Sequence, residues 1–185
     1  MRRAPKLAAL AHGWRIVIAY GDELNSYVGQ RMLELLRAGG DTVSFFRLWP
    51  MSGSASYDSA RVVIGRAPTV VFAMNVRPIA AKGSIALPDS LARLITLTDS
   101  VKPTVLVSLG SPYLLNQTPT VKSYLIAWSG VRAAERAAAR ALLGWSPVRG
   151  KLPIRIPPSY RIGYGLTISD STLAPVKPPA HVIIP

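Results

Sequence analysis

Residues 103–115 read PTVLVSLGSPYLL, residues 123–129 read SYLIAWS, and residues 144–157 read GWSPVRGKLPIRIP. The first segment is an apolar run of strand length that stops at a Gly-Ser-Pro turn. The second is a shorter apolar run that stops at small residues. Between the second and third lies an Ala- and Arg-rich stretch, 131–143, with helical spacing, closed by Gly144. Pro153 and Pro157 keep the third segment extended, and 152–156 is a candidate edge strand. Strands that are apolar on both faces and alternate with helices are the mark of a parallel sheet covered on both sides.

Working outward, WRIVIAY (14–20) is a strand stopped by Gly21. Leu24, Tyr27, Val28, Met32, Leu35 and Leu36 recur at helical spacing over 24–38, before Gly39 and Gly40. TVSFFRL (42–48) is the next strand, so the three elements form a β-α-β unit with parallel strands and a right-handed crossover. PMSGSASYDS (50–59) is a loop, followed by a short helix from Tyr57 or Asp58 to Gly65. TVVFAMNV (69–76) is the third strand, and 88–101 is a helix with Pro88 at its first turn and Leu91, Leu94, Ile95 and Thr98 facing inward. The expected fold is a doubly wound three-layer α/β/α sandwich on a mostly parallel sheet of five or six strands. Residues 1–13 read as a linker or remnant, 14–168 as the domain, and 169–185, with its four prolines, as a stiffened tail.

The chain has 185 residues, about half of them hydrophobic, enough for one full core. It contains no cysteine, so disulfides, thiolate metal sites and cysteine nucleophiles are excluded. The two histidines, His12 and His181, lie near the termini, which argues against a histidine-built metal site or triad. No apolar stretch approaches the ~18 residues that span a bilayer. The basic start lacks an apolar run long enough for a signal peptide, and the compartment stays open. The net charge of +13 fits either a nucleic-acid partner or scattered solvated arginines. Basic runs no longer than two residues, without interleaved aromatics, favour the second reading.

In an open parallel sheet ligands bind beyond the carboxyl ends of the strands, where the strand order reverses. The loops there are Gly21-Asp22-Glu23, 49–56, Asn75-Val76-Arg77, Gly110-Ser111-Pro112-Tyr113 and Ser129-Gly130. Asp22 and Glu23 offer two carboxylates for acid/base work or hydroxyl binding; the plainer role is charge complementarity at a helix N-terminus. That loop has no phosphate-cradling glycine pattern. Gly110–Tyr113 lacks the G-x-S-x-G elbow and reads as a tight turn whose glycine allows close backbone packing. Arg132, Glu135, Arg136 and Arg140 form a helical stripe, either a solvated face with an internal ion pair or a docking face for another domain.

These residues resemble the C-terminal α/β domain of glycoside hydrolase family 3. There, a strand ending in G-x-P-Y-L, a strand ending in a small-residue turn, a helix and a G-[RK]-L-P-[VI] segment follow one another. IVIAYGDELNSYVGQRMLELLRAGGDTVSFFRLWP (16–50) is similar to the first β-α-β of β-N-acetylhexosaminidase-like members, and IALPDSLARLI (85–95) and YRIGYGL (160–166) fit too. The resemblance implies hydrolysis of β-linked N-acetylglucosaminides or glucosides with retention, which needs a nucleophilic carboxylate and an acid/base about the scissile bond, the acid/base being a glutamate in glucosidase-like members or a barrel-loop histidine in hexosaminidase-like ones. In the family the nucleophilic aspartate lies on a TIM-like barrel whose K-H-F-P-G-H-G-type motif has no counterpart here. The resemblance therefore implies an accessory domain, inactive alone, with no catalytic residue and no cofactor of its own.

On that reading the partner is a catalytic TIM-like barrel, and carbohydrate is met through it. Asp22, Glu23, Arg77 and Tyr113 are the candidate substrate contacts, and Arg132, Arg136 and Arg140 the candidate docking residues. The alternatives are a flavodoxin-like module binding a small ligand at the same loops, or a basic nucleic-acid-binding domain.

Overall fold

The computed structural model of the chain describes residues 13–21, 27–77 and 85–168. Five strands form one parallel sheet: β1 (Trp14–Tyr20), β2 (Thr42–Leu48), β3 (Thr69–Met74), β4 (Thr104–Ser108) and β5 (Tyr124–Ile126). Their order is β2-β1-β3-β4-β5, with every neighbouring pair parallel. The helices are α1 (Gln30–Ala38), α2 (Ser54–Arg66), α3 (Asp89–Val101) and α4 (Arg132–Leu142).

The alternation of side chains along each strand sorts the core into two halves. Ile16, Ile18, Val70 and Phe72 pack with Tyr57, Ala60 and Ile64 of α2 and Leu91 and Ile95 of α3. Val17, Ala19, Val71 and Val105 pack with Met32 and Leu36 of α1 and Ala138, Ala139 and Leu142 of α4. Two helices thus cover each face, and the doubly wound α/β/α sandwich expected from the sequence is the observed fold. At the amino edge Arg15 and Asp41 form a buried ion pair at 2.6 Å, and Asp41 also accepts from the Gly13 N–H. The pair holds the start of β1 against the turn after α1.

Several expected boundaries shift. α1 begins at Gln30, so Tyr27 lies outside the helix and is exposed. α2 starts at Ser54, inside the segment expected as a loop, because small residues there fit a helix start without a side-chain cap. β5 stops at Ile126, since the chain turns sharply at Trp128. The sixth strand does not form. Leu152 instead exchanges backbone hydrogen bonds with Gly163 and Tyr164, and Ile156 with Tyr160, closing local turns away from the sheet. The expectations for 1–12 and 169–185 fall outside the described residues. Among the described residues, no helix is long and apolar enough to cross a membrane.

Candidate functional site at the carboxyl edge of the sheet

The strand order reverses between β1 and β3, and the carboxyl end of β1 meets the loops leaving β3, β4 and β5 there. Their backbones are tied directly: Asn75 N–H donates to the Tyr20 carbonyl at 2.8 Å, and Ser111 N–H to the Val76 carbonyl at 2.7 Å. Gly110 makes the second tie possible, because a Cβ at that position would fall 2.2 Å from the Val76 oxygen. The sequence-based reading of Gly110 as a close-packing glycine therefore holds. Ser111 is buried and caps the following 3₁₀ turn, its Oγ accepting from Tyr113 N–H at 3.3 Å. The Tyr124 hydroxyl donates to the Pro112 carbonyl at 3.0 Å, so the second motif segment braces the turn of the first.

Of the predicted contacts, Arg77 and Tyr113 sit on these adjoining loops, both exposed. Asp22 and Glu23 lie outside the described residues. Arg132 and Arg136 are exposed on α4. Arg140 is partly buried and its Nε donates to Ser146 Oγ at 2.9 Å, which ties down the chain beyond the helix.

Two residues that the sequence reading did not single out as contacts, although it named the loop of the first, occupy the centre of the edge. Asn75 is 4% exposed, yet neither Nδ2 nor Oδ1 has a hydrogen-bond partner. A buried amide left this way costs about 1–3 kcal/mol. Its side chain lies against Gly130, where a Cβ would come within 2.5 Å of Nδ2. Trp128, two residues earlier, has φ +64° and is 44% exposed. Ser129 N–H donates to the Ala127 carbonyl at 2.8 Å, closing a three-residue γ-turn about it. A bulky residue held at positive φ costs on the order of 1–3 kcal/mol. The available signals were an amide immediately after a central apolar strand and a tryptophan before Ser-Gly.

Glu135 is the third surprise. It belongs to the α4 stripe in sequence but is 2% exposed. Its carboxylate accepts from the backbone N–H groups of Gly29 at 2.8 Å, Arg31 at 3.1 Å and Met32 at 3.2 Å. It thus caps α1, which has no capping side chain of its own. The internal ion pair expected within the stripe is replaced by this contact between helices. Burial pushes the Glu135 carboxyl above its ordinary value, opposed by the three N–H donors and assisted by the negative charge of Glu34. A cavity of about 230 Å³ beside it is lined by Tyr27, Arg31, Glu34, Gly130 and Arg132. The N-terminus of the first helix, where doubly wound proteins commonly seat a phosphate, is already filled by the protein's own anion.

No protein-family model matches this sequence, and no curated protein matches it. Solved structures do. A glycoside hydrolase family 3 β-N-acetylglucosaminidase from Paenibacillus sp. str. FPU-7 aligns with a TM-score of 0.57 at 19% identity, over 71% of this chain and 25% of its own. The β-glucoside phosphorylase BglX aligns with a TM-score of 0.52 at 21% identity, over 71% of this chain and 24% of its own. Its complex with 2FGlc gives 0.53. The chain shares the fold of one part of these enzymes and spans about a quarter of their length.

Two outcomes test this geometry. Because the Glu135 pKa is raised above 4.5, the native state holds that proton more tightly than the unfolded chain. The stability so contributed is present below about pH 4.5 and is lost as pH rises through the raised value. Urea melts across this range should show wild type losing stability relative to Glu135→Gln as pH increases, and Glu135→Ala weaker at neutral pH by about 3 kcal/mol from its orphaned N–H groups. Second, Gly110→Ala should destabilise more than Gly130→Ala, because its obstacle is backbone. About 3 kcal/mol against about 1 kcal/mol is expected from thermal melts.

Proposed function

We propose that residues 14–168 form the accessory α/β domain of a retaining glycoside hydrolase acting on β-linked N-acetylglucosaminides or glucosides. The observation that carries this reading is the fold match to a quarter of a family 3 β-N-acetylglucosaminidase. The order of the motif segments, GSPYLL through KLPIRI, supports it. The partner is a catalytic TIM-like barrel that carries the nucleophilic aspartate. The carboxyl edge, with Asp22, Glu23, Arg77 and Tyr113, walls one side of the sugar site. Arg132 and Arg136 dock the domain, which gives a chain of net charge +13 a use for an acidic companion surface.

A flavodoxin-like module is the second reading, and one observation weighs against its usual phosphate-bearing ligands. Glu135 consumes three N–H donors at the start of α1 and would repel a phosphate there. Nucleic-acid binding draws only on net charge, and that term is not specific.

The isolated, purified chain should not hydrolyse an aryl N-acetyl-β-glucosaminide or an aryl β-glucoside. Hydrolysis should appear when a barrel bearing the aspartate nucleophile is supplied, and Arg132→Glu with Arg136→Glu should weaken that association about tenfold or more. Turnover by the chain alone, abolished by Asp22→Ala or Glu23→Ala, would show that the chemistry resides here instead.

A further inference from the structure

The reading above places sugar near the carboxyl edge without saying what holds it. The described residues contain one group there that is buried, polar and unpartnered: the Asn75 side chain. An amide offers a two-proton donor beside an acceptor, a match for two neighbouring hydroxyls or for an acetamido group, and it carries no charge. Gly130 covers it, and the turn that delivers Gly130 closes about Trp128, at φ +64°, through a 2.8 Å hydrogen bond from Ser129 to Ala127, whose own N–H is tied to the Ser108 carbonyl of β4. The unmade hydrogen bonds and the strained turn thus meet at Gly130, two residues after Trp128, and one movement of that glycine's turn bears on both. An outward swing of residues 128–130, pivoting at Ala127 where the chain is bonded to β4, would uncover the amide and free Trp128 from its positive φ. An exposed indole carried by the same turn, two residues before the glycine that covers the amide, is a fitting wall for the apolar face of a sugar ring.

We infer that Asn75 is the polar anchor of a binding site for a single uncharged sugar ring at the β1/β3 switch, opened by movement of residues 128–130, with Trp128 as its apolar wall. This rests on the glycosidase reading for the sugar class, but the site belongs to this chain alone. An anionic ligand is disfavoured, since the Glu135 carboxylate already fills the start of α1.

The test is a titration of the full chain, followed by ¹⁵N–¹H spectra, with N-acetylglucosamine, with glucose and with inorganic phosphate. Either sugar should shift the Asn75 side-chain amide and the Trp128 indole N–H together, while phosphate shifts neither. Asn75→Leu should bind the sugar about tenfold or more weakly, the loss expected when paired hydrogen bonds are removed. It should also melt at a higher temperature than wild type, because a purely structural amide would not be improved upon by a leucine. Trp128→Ala, at an exposed position, should fold normally and bind about tenfold more weakly. Absence of sugar-induced shifts at Asn75, a lower melting temperature for Asn75→Leu, or unchanged affinity in Trp128→Ala would overturn the inference. Failure here with barrel association intact removes only the site. Sugar binding at Asn75 with no barrel association removes the accessory reading and leaves the site.

Discussion

The contact on which the layout of the carboxyl edge depends is the Glu135 carboxylate at the start of α1. It joins two helices 100 residues apart in sequence through three backbone donors. A buried carboxylate is tolerable only when its charge is met, and the N–H groups of an uncapped helix start meet it. Each side solves the other's problem: α1 has no capping side chain, and Glu135 is buried. This anchors α4 at Glu135, a few residues beyond the turn in which Gly130 lies against Asn75. The same contact removes the helix N-terminus from the list of places where an anionic ligand could bind.

What remains at the edge is a surface built under tension. Gly110 allows two loops to bond backbone to backbone, and Tyr124 braces the turn beneath Tyr113. Against this rigid frame stand an amide without partners and a tryptophan at positive φ. Proteins keep such features where a ligand or a partner repays them. The rest of the sheet, apolar on both faces, shows none of this at its centre. The contrast sets the carboxyl edge apart from the rest of the sheet.

Much of the fold was legible because its strands are buried on both faces. Runs such as WRIVIAY and TVLVS admit few other readings, and the turn residues between them set the element order. Helix starts were harder. α1 is capped by a residue from α4, and α2 begins after Gly53 without a side-chain cap, so local capping rules had nothing to find. The candidate sixth strand had the right residues, but its backbone groups found nearer partners at Tyr160 and Tyr164. The position of the site followed from topology, which is why the loops of Arg77 and Tyr113 were found. The roles of Asn75, Trp128 and Glu135 were not, since an unpartnered amide, a backbone angle and a contact spanning more than 100 residues are properties of the assembled structure.

The central claim is that the carboxyl edge of this sheet is the face presented to a catalytic barrel. Hydrogen exchange of the full chain, measured with and without such a barrel, addresses it directly. The account predicts slowed exchange at residues 110–113 and 127–132, with the amino edge around Gly13 and Asp41 unchanged. Protection confined to that opposite edge, or no protection anywhere, would contradict it.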